Sequence, residues 1–110
     1  MTEAGEYEAP RKVVVGTCIY PMYQSQNPWP GLNGRLDQLT GLVDDMAAQA
    51  EGVSDTGLDL AVLPEAAVNA GLEGDAASVA FPLDGPVRAR MADVARRHHC
   101  YIVLPMFLAE

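Results

Sequence analysis

Three short apolar runs, separated by two segments with helical periodicity, restrict the folds open to this chain more than any other feature. The runs cover residues 13–20, 58–65 and 101–110, and they are apolar at both odd and even positions. This pattern is typical of strands that are covered on both sides of a sheet. Segments 33–51 and 86–99 instead repeat apolar residues at steps of three and four, which predicts helices with one buried face.

The order strand, helix, strand, helix, strand predicts an α/β fold in which neighbouring strands are parallel. Connections between parallel strands are right-handed and place the helices on the sheet. The 110 residues, 49% of them hydrophobic, suffice for one domain with one core. Two helices cover only one face of such a sheet well. We therefore expect the chain to associate, with its own copies as a homo-oligomer or with further chain.

Charge excludes several classes of partner. Fifteen acidic against seven basic side chains give a formal net charge of −8, and such a field repels nucleic-acid phosphates and anionic lipid. We expect neither nucleic acid nor membrane as a partner. Residues 1–10 carry three glutamates and no apolar periodicity, which predicts a disordered acidic tail, no secretory signal and a cytoplasmic location. Four arginines are predicted to form a solvated helix face: Arg88, Arg90, Arg96 and Arg97.

Two segments lack regular periodicity. Residues 21–34 contain three prolines and two glycines, which predicts a long loop, with Asn33 as the N-cap of the helix that follows. Trp29 in this loop could line a substrate entrance or act as a hydrophobic plug, and we favour the plug. Residues 66–83 are small and interrupted by glycine, so they predict no more than one or two helical turns.

Glu65 is the candidate site residue. In open α/β sheets ligands bind beyond the carboxyl ends of the strands, and Glu65 stands at such an end, directly after an apolar run and Pro64. Desolvation by its neighbours would make this carboxylate a stronger general base. We expect the side chain to be at least partly buried, on the edge shared with Tyr20. The alternative is a strand-end glutamate that caps a helix or meets water.

The sequence around Glu65 resembles the nitrilase, or carbon–nitrogen hydrolase, superfamily. The run LDLAVLPE is similar to the first active-site motif of that family, in which an apolar strand ends in Pro-Glu. The likeness extends over most of residues 11–110, through RKVVVGTCIY, the helix after it, PLDGPVRARMADVARRHHC and YIVLPMFLAE. The resemblance implies that these residues are the N-terminal part of an α-β-β-α sandwich. It also implies hydrolysis of non-peptide C–N bonds, in a small-molecule amide, nitrile or N-carbamoyl substrate.

The family's chemistry uses a Glu-Lys-Cys triad and passes through a thioester, and the resemblance gives Glu65 the role of general base. No position here matches the family's lysine or cysteine motif. At ~3.3 Å per residue, Lys12 lies roughly 25 Å from the carboxyl end of its strand. Cys100 begins its strand and so lies at the amino edge, the edge opposite Glu65. Cys18 has no basic neighbour to lower the pKa of its thiol. We expect the chain to be inactive alone. A small self-contained α/β binding or interaction module, with a structural Glu65, is the alternative function.

The sequence predicts no cofactor and no metal. His98 and His99 are adjacent on the second helix, hence about 100° apart around its axis, so they cannot chelate one ion together. The glycines form neither a dinucleotide-binding fingerprint nor a phosphate-binding loop with its lysine.

Overall fold

The computed structural model describes residues 11–19 and 28–109 and has a mixed α/β fold with parallel strands, as the alternation predicts. The predicted acidic tail 1–10, Tyr20 and most of the loop 21–34 lie outside the described residues. In chain order the elements are β1 Val15–Thr17, α1 Leu32–Glu51, β2 Leu60–Val62, α2 Ala76–Val79, β3 Phe81–Pro82, α3 Pro86–His98, β4 Tyr101–Val103 and β5 Leu108–Ala109.

The main sheet has the strand order β1-β2-β4, and both of its strand pairs are parallel. Val15 pairs with Leu60, which pairs in turn with Tyr101, so the three strands run level with one another. The strands follow each other across the sheet in chain order, and right-handed crossovers therefore place α1 and α3 on the same face. The two helices pack against each other, α1 on β1 and α3 on β4.

The core lies between this helix pair and the sheet. Central strand β2 and the residue that follows it contribute Ala61 and Leu63, which are 0% and 2% exposed. Because burial of this kind stabilises a fold by about 25 cal/mol per Å² of apolar surface, the core is what holds the layers together. The helices contribute the apolar stripes that their periodicity predicts: Leu36, Leu39, Val43, Met46, Ala47 and Ala50 from α1, and Val87, Met91 and Val94 from α3.

Two ion pairs of the same kind join the helices. Arg90 contacts Asp37 at 2.8 Å, and Arg97 contacts Asp44 at 2.6 Å. Both partners advance by seven residues from one pair to the next, so α1 and α3 run parallel and in a fixed register. We call these four residues the ion-pair ladder. Each such partly exposed pair stabilises by about 0.2–1 kcal/mol, so the ladder selects the register of the helices more than it stabilises them.

Close approach of α1 to β1 depends on Gly16. A Cβ atom added at this position would lie 2.9 Å from the Cβ, Cγ and Sδ atoms of Met46. Contacts that short do not occur between real side chains in a packed core. Any larger residue at position 16 would therefore push the helix away from the strand.

The opposite face of the main sheet is not covered by any element of the described residues. Tyr101 is 81% exposed, Val13 63% and Val15 51%, whereas the residues that alternate with them point towards the helices. The expectation that two helices leave one face bare is thus met within the described part of the chain. We call this surface the open sheet face: Val13, Val15, Thr17, Leu60, Val62, Tyr101 and Val103.

The predicted third strand, 101–110, is wrong as a single strand. Strand β4 ends at Val103, and the chain then crosses to a second, two-stranded sheet in which β5 pairs in parallel with β3. Pro105 lies in the break, and a proline has no N–H for ladder pairing. The turn predicted in 66–83 corresponds to α2, but β3 was not predicted, because its pairing partner lies 27 positions further along the chain.

The helix ends differ slightly from the prediction. Gly31, not Asn33, is the N-cap of α1, and it enters the helix with a φ of 87°, which glycine adopts without steric cost. Helix α3 begins with Pro86 at its first turn, as predicted, and ends before His99, which adopts a left-handed conformation. Within residues 11–19 and 28–109, no helix is both long and apolar enough to cross a membrane.

Candidate functional site

Glu65 follows the central strand of the main sheet at its carboxyl end. The ladder extends one residue beyond β2, because the N–H of Leu63 donates to the carbonyl oxygen of Val103 at 3.1 Å, and it stops at Pro64. This is the edge at which ligands bind in open α/β sheets. The position that the sequence predicts for Glu65 is therefore the one that it occupies.

The predicted burial of Glu65 is wrong, because its side chain is exposed. The expectation rests on desolvation by neighbouring groups at the carboxyl edge of the sheet, and the described residues there leave the side chain open to solvent. Within the described residues the carboxylate makes no hydrogen bond or ion pair. The shared edge with Tyr20 lies outside the described residues.

The backbone directly after Glu65 is in a conformation that side chains disfavour. Ala66 has a φ of 52°, and this left-handed region costs a residue with a Cβ atom about 1–2 kcal/mol. The turn then closes through bonds from Asn69 N (3.0 Å) and Ala70 N (2.8 Å) to the carbonyl oxygen of Ala66. Strained backbone of this kind persists where the surroundings hold it, and it is concentrated at functional sites.

Arg35 links this turn to α1 by a hydrogen bond. It lies in the first turn of α1, is 1% exposed, and donates from Nη1 to the carbonyl oxygen of Ala67 at 2.9 Å. Its Nε donates to Oε1 of Gln38 at 3.0 Å. A buried guanidinium with several such bonds is geometrically specific, so Arg35 ties the segment after Glu65 to α1.

Asn69, which is part of the turn, links it to two other segments through its side-chain amide. Its side chain is buried, and its Nδ2 donates to the carbonyl oxygen of Val79 at 2.7 Å. Its Oδ1 accepts from the N–H of Phe107 at 2.9 Å. One amide therefore joins the turn after Glu65 to the segments that lead into β3 and β5.

Trp29 packs beside these groups. Its ring lies 5.1 Å from the guanidinium carbon of Arg35 and stacks on Phe81 with 6.4 Å between ring centroids. Gly71, at a φ of 94°, allows the backbone of Trp29 to approach, since an added Cβ would lie 3.4 Å from the Trp29 nitrogen. These contacts agree with the predicted plug, because the Trp29 ring packs on Arg35 and Phe81.

Lys12 stands far from Glu65. It precedes Val15 by three residues, and Glu65 follows the paired Leu60 by five. Eight residues along the strand direction correspond to roughly 26 Å. As predicted, Lys12 cannot complete a site at Glu65.

The cysteines are partly buried and unactivated. Burial raises the pKa of the Cys18 thiol and of the Cys100 thiol above the ordinary value, and a raised pKa leaves less thiolate for nucleophilic attack. Cys18 directly follows Thr17 at the same edge as Glu65, whereas Cys100 directly precedes Tyr101 at the opposite edge. Neither provides the nucleophile of the resembled family.

Several other charged side chains lie on the helix pair. His98 Nε2 donates to Oδ1 of Asp44 at 2.6 Å, beside Arg97. This bond, followed by the ion pair with Arg97, lowers the pKa of the Asp44 carboxyl. The residues that the structure describes contain no group of three or more His, Cys, Asp or Glu side chains placed to hold a metal ion. Each predicted surface arginine has an aspartate partner: Arg88 with Asp84, Arg90 with Asp37, Arg96 with Asp93 and Arg97 with Asp44.

The sequence did not predict the two residues that support the Glu65 turn. The sequence does contain an indication for Arg35. This residue occupies the apolar stripe of α1 four residues before Leu39, where a charged side chain needs buried partners. Asn69 had a weaker one, as an amide among small apolar residues. Comparison of the chain with protein-family models, with curated proteins and with solved structures gives no match.

Proposed function

We propose that this chain supplies the general base of a carbon–nitrogen hydrolase, and that Glu65 is that base. The substrate is a small molecule with a non-peptide C–N bond: an amide, a nitrile or an N-carbamoyl group. The lysine and the cysteine of the triad are supplied from outside these 110 residues, so the chain alone does not turn over substrate.

One observation supports the proposal above all others. A carboxylate at the carboxyl end of the central strand is followed directly by a left-handed alanine, Ala66, in a turn that buried side-chain hydrogen bonds of Arg35 and Asn69 link to its surroundings. A glutamate with no task at this position would need neither the strained backbone nor the two buried polar supports. Rigid positioning of a general base is what proton transfer in a transition state requires.

For a primary amide, the proposed reaction has the following steps. The Glu65 carboxylate accepts the thiol proton of the cysteine while the sulfur attacks the carbonyl carbon, and the lysine stabilises the oxyanion. Collapse expels ammonia, which takes its third proton from Glu65, and leaves a thioester. Glu65 then accepts a proton from water as the water attacks the thioester. The acid leaves, and the proton returns to the thiolate.

The open sheet face supports the finer architecture of this proposal. An α-β-β-α sandwich packs two sheets face to face, about 10 Å apart, with helices outside. The described residues have a sheet with helices α1 and α3 on one side and apolar residues on the other, as one half of such a sandwich would. We propose that the open sheet face packs on a second sheet.

The test compares Glu65→Gln with the wild type in a longer product of the gene that contains a lysine and a cysteine at strand ends. The substitution keeps the shape and removes the proton acceptor. Loss of general-base catalysis should lower kcat by about 10²–10⁴ for amide, nitrile or N-carbamoyl hydrolysis. Glu73→Gln is the matched control, because Glu73 is an exposed glutamate in the same part of the chain.

Two results would contradict the proposal. A Glu65→Gln protein that keeps more than about a tenth of the wild-type rate has another base. Turnover by the 110-residue chain would show that its own residues contain a nucleophile. Circular dichroism of each variant checks that the fold is intact.

A further inference from the structure

Asn33 and Gly34 lie next to each other in the first turn of α1. Asn33 is exposed, and its side-chain amide makes no hydrogen bond within the described residues. The N–H of Gly34 makes none either, because the hydrogen bonds of α1 begin with the N–H of Arg35, which donates to the carbonyl oxygen of Gly31 at 2.9 Å. Hydrogen bonds therefore restrain neither the side-chain amide nor the backbone nitrogen that follows it.

We propose that Asn33 is a site of spontaneous deamidation. The Gly34 nitrogen gives its proton to a solvent base and attacks Cγ of Asn33. The bond from Cγ to Nδ2 then breaks, and ammonia leaves with a proton taken from solvent, so that a cyclic succinimide remains. Water opens the ring in one of two ways. Attack at Cγ gives aspartate, and attack at the backbone carbonyl carbon gives isoaspartate, in which the main chain runs through the side chain.

The position in the helix makes this reaction accessible. Ring closure requires the backbone at Asn33 to leave the helical conformation, and Gly34 has no Cβ atom to hinder the approach of its nitrogen. The first turn opposes this change weakly, because the N-cap Gly31 provides no side-chain hydrogen bond. Helix ends open at little cost in free energy compared with the core of a fold. Deamidation at Asn33 therefore proceeds without unfolding of the chain.

The other two asparagines of the chain do not share this arrangement. Asn27 is followed by Pro28, whose nitrogen carries no hydrogen and is not available for the attack. Asn69 is buried, and its side-chain amide is hydrogen-bonded on both sides. The N–H of Ala70, which follows it, donates to the carbonyl oxygen of Ala66 at 2.8 Å. Asn69 is thus an internal reference for an asparagine that the fold protects.

The two products affect α1 in opposite ways. Aspartate places an acidic side chain in the first turn, which has none, and the helix dipole favours a negative charge there. Isoaspartate adds a methylene group to the main chain between Gly31 and Arg35, so the first hydrogen bond of the helix is lost. Because Arg35 also donates to the carbonyl oxygen of Ala67 at 2.9 Å, isoaspartate loosens the turn after Glu65. This inference is independent of the chemistry proposed for Glu65.

Peptide mapping by mass spectrometry tests the site in the full 110-residue chain. During incubation the peptide with Asn33 should gain about one dalton, the difference between a hydroxyl and an amino group. The gain should be faster at alkaline than at mildly acidic pH, because the attacking nitrogen must lose its proton. Asn33 should react at least about ten times faster than Asn69, which reacts only after local unfolding. Asn33→Gln keeps an amide but lengthens the side chain, and it should abolish the gain at position 33.

Hydrogen exchange tests the effect of the product. Chromatography separates the isoaspartate form, and Asn33→Asp is its matched control, because both carry the same charge and differ only in the course of the main chain. The isoaspartate form should exchange faster than Asn33→Asp at the amides of Asn69 and Ala70, which close the turn after Glu65.

Two results would overturn the inference. If the folded chain loses the Asn33 amide no faster than the Asn69 amide, Asn33 is not a distinct site. If the isoaspartate form and Asn33→Asp exchange at equal rates, the modification does not reach the turn through Arg35. Circular dichroism confirms that every form is folded, so that neither result can come from an unfolded chain.

Discussion

Arg35 donates a hydrogen bond of 2.9 Å from Nη1 to the carbonyl oxygen of Ala67. Side chain and acceptor residue are both buried, at 1% and 0% exposure. The bond joins the first turn of α1 to the turn that presents Glu65, although the two residues are 32 positions apart in the chain. The orientation of Glu65 therefore depends on how α1 docks on the sheet.

Arg35→Met should destabilise the chain by about 2–4 kcal/mol. Methionine keeps the apolar stem of the side chain, but the carbonyl of Ala67 loses its donor in a buried environment. Urea unfolding measures the free energy, and hydrogen exchange should show faster exchange at the amides of Asn69 and Ala70, which close the turn.

Arg88→Met is the control for that experiment, because Arg88 is exposed and pairs with the exposed Asp84. It should change the free energy of unfolding by no more than about 0.5 kcal/mol. Equal effects of the two substitutions would contradict the role assigned to Arg35.

Two glycine-to-alanine substitutions should change the free energy of unfolding in opposite directions. Gly16→Ala should destabilise by about 1–3 kcal/mol, because the new Cβ would overlap Met46 and force α1 away from β1. Gly41→Ala should stabilise by about 0.5–1 kcal/mol, because Gly41 lies inside α1 with open space around its Cβ position. Thermal and urea unfolding give both values. A neutral Gly16→Ala would mean that strand and helix are further apart than described.

Asp44 should make the stability pH-dependent. The bond from His98, with the ion pair to Arg97, holds the pKa of this carboxyl below its ordinary value in the folded chain. A depressed pKa contributes stability above the ordinary carboxyl pKa, and that stability is lost as the pH falls through the folded value. Asp44→Asn should thus cost about 0.5–1 kcal/mol at neutral pH and progressively less as the pH falls below the ordinary carboxyl pKa.

The neighbouring Asp45 provides the control for this titration. It is exposed, and it makes no ion pair or hydrogen bond within the described residues. Urea unfolding of Asp45→Asn should follow the wild-type pH profile. If Asp44→Asn also follows it, the contacts with His98 and Arg97 do not contribute to stability.

The sequence predicts those parts of the fold that depend on local periodicity. The stripe Leu36, Leu39 and Val43 identifies α1 because apolar residues at steps of three and four have only one helical solution. The alternation of strand and helix then determines parallel pairing and places Glu65 at the carboxyl edge, since crossovers have a fixed hand.

The parts that the sequence does not predict depend on partners distant in the chain. Pairing of Phe81 with Leu108 cannot be read from two-residue segments, so the sequence predicts no β3 and does not separate β5 from β4. Burial of Glu65 is expected from neighbours at the carboxyl edge, but the side chains that surround a strand end come from distant parts of the chain and cannot be read from the local sequence. The side chain of Asn69 forms hydrogen bonds with the backbone at Val79 and Phe107. Because every residue has a backbone carbonyl, and nearly every one an N–H, the sequence does not indicate which of them Asn69 binds.

The ion-pair ladder limits which insertions and deletions the chain can accept during evolution. One residue inserted between Asp37 and Asp44 would rotate the rest of α1 by about 100°, and both the ladder and the apolar stripe would be lost beyond it. An insertion in residues 52–58 or 83–85, outside both helices, leaves the two seven-residue spacings unchanged. Gene lineages that descend from this sequence should therefore vary in the length of their connections, while α1 and α3 keep a common length between their paired positions.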